Sequence, residues 1–182
     1  SGGITVSHLR FGKAKIKAPY LITDSDYTAC HNQSYVYQYD LAKGLKNGGK
    51  FVLNTVWSAE ETEKELPANL KHEIAKRDAK FYIIDAVKIA DEIGLGQRIN
   101  MIMLTSFFKL AGVIPFEDAV KYLKDSIDKS YGKKGQEVVD MNYAAVDKAA
   151  EALVEIKYDK EAWLNAKVVE IDIKKVHDQY VD

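Results

Sequence analysis

The 182-residue sequence predicts an α/β fold with a largely parallel sheet and a helix-rich C-terminal half. Three observations carry that expectation. In the first half, short runs rich in β-branched and aromatic residues alternate with segments of helical spacing. Beyond Asp85 the pattern turns helical, and glycines close successive segments. Strands alternating with helices and then giving way to helices are the pattern of layered α/β domains.

The elements follow in order. Ile4 to Phe11 is β-rich, and Asp26 to His31 holds a second short strand. Tyr35 to Leu45 reads as a helix that stops at the turn signal Asn47-Gly48-Gly49. Lys50 to Thr55 is an apolar strand. Ser58 caps the next helix, with Glu61 three residues on completing a capping box. After Pro67 a helix carries Leu70, Ile74 and Ala75 on one face, and Lys80 to Ile84 is a further strand closed by the potential cap Asp85. Helices are expected over Ala86–Ile93, ending at Gly94, and over Asn100–Leu110, ending at Gly112. Pro115 opens a helix with Ala119, Leu123 and Ile127 at core spacing. Gly132 to Gly135 is a loop, and Val138 to Ile156 a long Ala-rich helix. The predicted domain is residues 1–156; residues 157–182 read as a linker or tail that packs weakly or against a surface outside this sequence.

Composition narrows the function classes. Lys plus Arg number 26 against 27 Asp plus Glu, so no basic surplus points to nucleic acid. The one cysteine, Cys30, forms no intrachain disulfide and cannot ligate an iron–sulfur cluster or structural zinc, which suits a reducing cytoplasm. No apolar run reaches the length of a membrane span, and the N-terminus has neither the basic nor the apolar region of a signal peptide.

The local signal with most chemistry is Gly94-Leu95-Gly96-Gln97-Arg98-Ile99-Asn100. A helix ending just before another begins presents open N–H groups, which favour an anion. Arg98 adds a cationic fork suited to phosphate, and Asn100 can bind a ligand or cap the helix. The plain alternative is a tight inter-helix turn with Arg98 in a surface ion pair. On the first strand, alternation sends His8 and Arg10 to one face, towards a ligand, a partner domain or solvent. His31, Asn32 and Gln33 lie at a strand end; Cys30 and His31 point opposite ways as strand neighbours, so Cys30 reads as structural. Lys43, Lys46 and Lys50 form a basic edge, and Glu60 to Glu65 an acidic helix face. No complete dinucleotide fingerprint, P-loop, nucleophile elbow or metal-spaced His/Cys set is present.

Collinear segments over residues 1–155 resemble pyruvate:ferredoxin (flavodoxin) oxidoreductase: residues 1–13, Ala29-Cys30-His31-Asn32, Leu41 to Gly49, Trp57-Ser58, Asp85 to Met103, Tyr131 to Gly135 and Met141 to Asp147. The resemblance implies the third, gamma-type domain, a three-layer α/β/α unit. It implies a whole enzyme, expected as a homodimer, that oxidatively decarboxylates pyruvate with coenzyme A and passes electrons to ferredoxin or flavodoxin. Thiamine diphosphate, Mg and the [4Fe-4S] clusters would sit on other domains, so this piece alone would be inactive. The domain would help form the coenzyme A site, with Gly96, Arg98 and Asn100 nearest the ligand. His8, Arg10 and His31 would face ligand or neighbouring domains. The alternative is a purely structural docking domain. The family's usual Gly and Gln are replaced by Gln97 and Leu104, which predicts a locally different turn. The family's strand–turn–helix unit upstream of Ser1 is absent, so an open sheet edge or apolar face is expected.

Overall fold

The computed structural model describes residues 6–9 and 25–166. The fold is α/β. Two compact units emerge: residues 1–83 with 155–182, and residues 84–154.

The first unit is built on a sheet of five strands in the order β1 (Val6–Leu9), β2 (Ser25–Cys30), β3 (Leu45–Asn54), β4 (Lys80–Ile84) and β5 (Val154–Ile156). β1 pairs antiparallel with β2 at the edge, and β2 runs parallel to β3. Thr28 stands opposite Phe51 and Cys30 opposite Leu53. The intervening residues Tyr27, Ala29 and Val52 are buried as well, so the paired strands are apolar on both faces. One core joins Cys30, Phe51, Leu53, Phe81 and Ile83 of the strands to Leu70, Ile74 and Ala75 of α2 (Ala68–Lys76). α1 (Ala59–Glu65) begins at the expected capping box, with Ser58 Oγ accepting from Glu61 N–H and Glu61 returning a carboxylate to Ser58 N–H.

Four expectations are corrected here. Residues 35–45 form no α-helix: a 3₁₀ turn over Gln33–Tyr37 is followed by turns until β3. The run Tyr35-Val36-Tyr37 is aromatic and β-branched, a weak helix former, and Asn32 closes the turn by accepting from Ser34 N–H. Asn47-Gly48-Gly49 does not end a helix but lies inside β3. There the register jumps from Ser25↔Leu45 to Tyr27↔Lys50, so β3 bulges. Arg77 satisfies the bulged backbone: its carbonyl accepts from Gly48 N–H at 2.7 Å and its Nε donates to Leu45 O at 2.9 Å.

The other two corrections concern the end of the chain. The long helix stops at Ala152, and Val154-Glu155-Ile156 enters the sheet as β5, where its β-branched residues fit. Residues 157–166 do not pack weakly either. They carry α7 (Lys160–Leu164), capped by Asp159, with Trp163 buried in the core.

The second unit is helical: α3 (Ala86–Ile93), α4 (Asn100–Ala111), α5 (Phe116–Tyr131) and α6 (Gln136–Ala152), with a 3₁₀ turn over Gly132–Lys134. Asp85 caps α3 by accepting from Lys88 N–H, and Gly94 and Gly112 end α3 and α4 in the left-handed conformation. The expected stripe Ala119, Leu123 and Ile127 is buried, the last two packing with Val139 and Val146 of α6.

Candidate functional site

The anion-turn residues fall on one short connection. The Leu95 side chain is buried and its N–H donates to Ala90 O at 2.8 Å, which anchors the turn beneath α3. Gly94 and Gly96 both have positive φ, 89° and 65°, a conformation that costs little only for glycine. Arg98 folds back on the turn: its N–H and its Nε both donate to Leu95 O, at 3.2 and 3.0 Å. Its terminal N–H groups have no hydrogen-bond partner among the described residues, and the side chain is exposed.

Asn100 departs from the expectation in one respect. It is the first residue of α4 rather than its cap, because Met103 N–H already bonds to Ile99 O. Ile99 occupies the cap and offers no side-chain acceptor. The leading amides of α4 therefore have no capping oxygen among the described residues, a state that suits an external anion. Gly96, Arg98 and Asn100 are all exposed there. Arg98 forms no ion pair among the described residues, so the surface ion pair that would make the turn unremarkable is missing.

A second polar cluster lies in the first unit, at the carboxyl ends of parallel β2 and β3. Asn54 Nδ2 donates to His31 O at 3.0 Å. Gln33 Oε1 accepts from Thr55 Oγ1 at 2.7 Å and from Val56 N–H at 3.0 Å. His31 is half-buried, and burial holds its pKa below the ordinary value, so it is neutral at pH 7. Val56 is exposed beside Trp57, whose ring meets Tyr37 edge-on. Ends of parallel strands are where α/β proteins often bind ligands. Sequence reasoning found His31, Asn32 and Gln33 but missed Asn54 and Thr55. The available signal was a polar pair closing an apolar strand.

Other candidates resolve differently. The backbone of His8 pairs with Thr28, whereas Arg10 lies outside the described residues. Lys46 pairs with Asp26 at 3.7 Å. In the acidic helix, Glu61 completes the capping box and Glu63 accepts from Trp163 Nε1 at 2.7 Å.

Among the described residues no group of three His, Cys, Asp or Glu side chains could hold a metal, and no helix is long and apolar enough to cross a membrane. Cys30 is buried, its Sγ donates to Asn32 O at 3.1 Å, and burial pushes its thiol up to about 12. A lone protonated thiol does not fit cluster ligation. The expected consequence is that iodoacetamide at pH 8 leaves Cys30 unmodified until denaturant unfolds the first unit. Rapid labelling of the folded chain would show that the thiol is accessible.

Residues 1–152 match the family described as pyruvate ferredoxin/flavodoxin oxidoreductase. The chain is 60% identical over 166 residues to the pyruvate:ferredoxin oxidoreductase of Moorella thermoacetica, covering 91% of this chain and 14% of that protein. It is 51% identical to the NADP(+) pyruvate dehydrogenase of Cryptosporidium parvum, over 91% of this chain and 9% of that protein. It thus spans a small part of the curated relatives it matches. Among solved structures, the PORC subunit of the Thermotoga maritima pyruvate oxidoreductase superposes with a TM-score of 0.59 at 20% identity, covering 84% of this chain and 82% of that one, a likeness of fold.

Proposed function

Because the chain belongs to the pyruvate ferredoxin/flavodoxin oxidoreductase family, we propose that it is the coenzyme A-facing domain of a larger 2-oxoacid oxidoreductase. The domain is residues 1–156, extended by the packed segment to residue 166. The whole enzyme joins oxidative decarboxylation of pyruvate to acetyl transfer onto coenzyme A and sends the electrons to ferredoxin or flavodoxin. Relatives named for ferredoxin and for NADP(+) match the chain at 60% and 51% identity, which supports a role common to both rather than choice of acceptor. Thiamine diphosphate supplies the carbanion stabilisation and is held with Mg and the clusters on other domains. The assembly is read as a cytoplasmic homodimer.

The observation that carries the coenzyme A reading is the Arg98 guanidinium edge, without a hydrogen-bond partner among the described residues, two residues before the start of α4, whose cap residue offers no side-chain acceptor. A phosphate placed there accepts from the Arg98 fork, from the α4 amides and from Asn100, with the helix dipole favouring its charge. Gly96 keeps side-chain bulk away from the approach. Holding the phosphates fixes the thiol end of the molecule relative to the reacting acyl group, an orientation effect. His8, Arg10 and His31 are assigned to contacts with ligand or neighbouring domains.

Calorimetric titration of coenzyme A into the chain tests the reading. Saturable heat is expected, and Arg98→Ala should weaken binding roughly tenfold to a hundredfold, the size of one charged hydrogen-bonded contact. In the complete enzyme the same substitution should raise the KM for coenzyme A and spare pyruvate decarboxylation. Equal loss of both partial reactions would refute the assignment and favour a purely structural docking domain.

A further inference from the structure

Asn47 is the only asparagine of the sequence that precedes a glycine. This pairing is chemically vulnerable. The amide nitrogen of the following residue, once it loses its proton, can attack the asparagine Cγ. The attack is intramolecular and closes a small ring, so proximity favours it. A glycine at the second position places no side chain over the nitrogen. Closure forms a C–N bond, expels the side-chain amide as ammonia and leaves a succinimide. Water then opens the succinimide at either carbonyl, giving aspartate or isoaspartate. The conversion consumes water, releases ammonia and needs no oxidant or reductant.

In the fold, Asn47 and Gly48 lie in the bulged part of β3, and both are exposed. The Asn47 side chain has no hydrogen-bond partner among the described residues. The bulge demands the glycines: Gly48 has φ 74°, and a Cβ at Gly49 would stand 2.7 Å from Leu45 Cδ1 and 3.0 Å from Lys46 O. The hazard therefore comes with the bulge. One residue opposes it. Gly48 N–H, the nitrogen that must attack, donates to Arg77 O at 2.7 Å. The Arg77 side chain holds the same stretch, donating from Nε to Leu45 O at 2.9 Å and from Nη2 to Lys43 O at 3.2 Å. Its Nη1 is fixed in turn by the Glu73 carboxylate at 3.3 Å. Lys43, Leu45 and Gly48 are thus tied to the end of α2 through Arg77.

We propose that Asn47 is a latent deamidation site, kept unreacted by the Arg77 clasp while the first unit is folded. A hydrogen-bonded amide yields its proton to solvent only when the bond opens. The same bond holds the nitrogen in place against a swing towards Cγ. Local opening at Arg77 frees the nitrogen, and the reaction that follows is irreversible. Isoaspartate at this position adds a carbon to the main chain and a carboxylate to the bulge, so β3 cannot recover its register with β2. A transient opening becomes a permanent one. The proposal is independent of the coenzyme A reading.

Peptide mapping by mass spectrometry tests it, following Asn47 at mildly alkaline pH in the folded chain and in guanidinium chloride. In denaturant Asn47 should react before every other asparagine, and faster as pH rises, because the deprotonated nitrogen attacks. In the folded chain its rate should fall roughly tenfold or more, the protection that one charged hydrogen bond gives. Arg77→Ala, kept under folding conditions, should raise the Asn47 rate and the hydrogen exchange of the Gly48 amide together by a similar factor. Asn47→Gln, whose ring closure is less favourable, should stay unreacted in both states. Equal Asn47 rates in the folded and denatured chain overturn the proposal, and this comparison does not depend on whether Arg77→Ala folds. Reaction of Asn47 in denaturant no faster than at the other asparagines overturns it as well. A folded Arg77→Ala chain with an unchanged Asn47 rate would remove Arg77 from the protection.

Discussion

Trp163→Ala should destabilise the first unit by about 3–5 kcal/mol, the cost of emptying a large aromatic site in a core. Several contacts converge on this side chain. Its ring stacks on Tyr158 with centroids 4.4 Å apart and meets Phe81 of β4 at 6.0 Å. Its Nε1 donates to Glu63 Oε1, and the Lys71 ammonium stands 5.7 Å over the ring. The segment is fastened on both sides: Tyr158 donates its hydroxyl to Ala79 O, and the His72 ring donates from Nδ1 to Leu164 O at 3.0 Å. Removing the indole leaves a void against Phe81 and takes one hydrogen bond from Glu63, which keeps its ion pair with Lys71 at 4.0 Å. Against a typical domain stability of roughly 5–15 kcal/mol, a loss of that size unfolds much of the unit at modest denaturant. Urea denaturation followed by circular dichroism measures it. Trp163→Phe, which keeps most of the volume and loses the hydrogen bond, should cost less. A loss below about 1 kcal/mol for Trp163→Ala, the scale of a surface change, would mean that the segment is dispensable.

That residue also shows where sequence reasoning reaches its limit. Helices whose faces repeat at three and four were legible at once: Leu70, Ile74 and Ala75, or Ala119, Leu123 and Ile127, all end up buried. Caps and stops such as Ser58, Asp85 and Gly94 act locally, so they too could be read from neighbours. Residues 154–166 were harder, because β5 is three residues long and α7 five, too short to display a period. Their burial is decided by β4 and α2, which lie some 80 residues earlier in the chain. The β3 bulge is similar: Asn47-Gly48-Gly49 has true turn chemistry, but Arg77 supplies distant partners that keep those residues within the strand. At the candidate site, the glycines and Arg98 were legible, while the exact start of α4 was not. One hydrogen bond, Met103 N–H to Ile99 O, moved Asn100 from cap to first turn.

Gly94→Val should cost the helical unit about 2–4 kcal/mol, more than the same change at Gly96, because strain and overpacking act together at Gly94 alone. Gly94 ends α3 at φ 89°, where a β-branched side chain is strongly disfavoured. A Cβ built there meets Met141 Sδ of α6 at 3.1 Å, so the α3–α6 packing must also yield. Gly96 has φ 65° but no heavy atom within 4 Å of an added Cβ, so substitution there carries conformational strain without a clash. The contrast separates the turn's packing against α6 from its proposed contact with coenzyme A. Thermal denaturation should rank Gly94→Val well below Gly96→Val, which in turn lies below the unaltered chain. Coenzyme A titration, performed where both variants remain folded, should show Gly96→Val binding weakly despite its milder destabilisation, because that exposed position lies two residues from Arg98 on the turn proposed to take the phosphate. Equal destabilisation at the two glycines would show that Met141 yields freely. Unimpaired coenzyme A binding by Gly96→Val would mean that the ligand does not approach across this turn, whatever Arg98→Ala does.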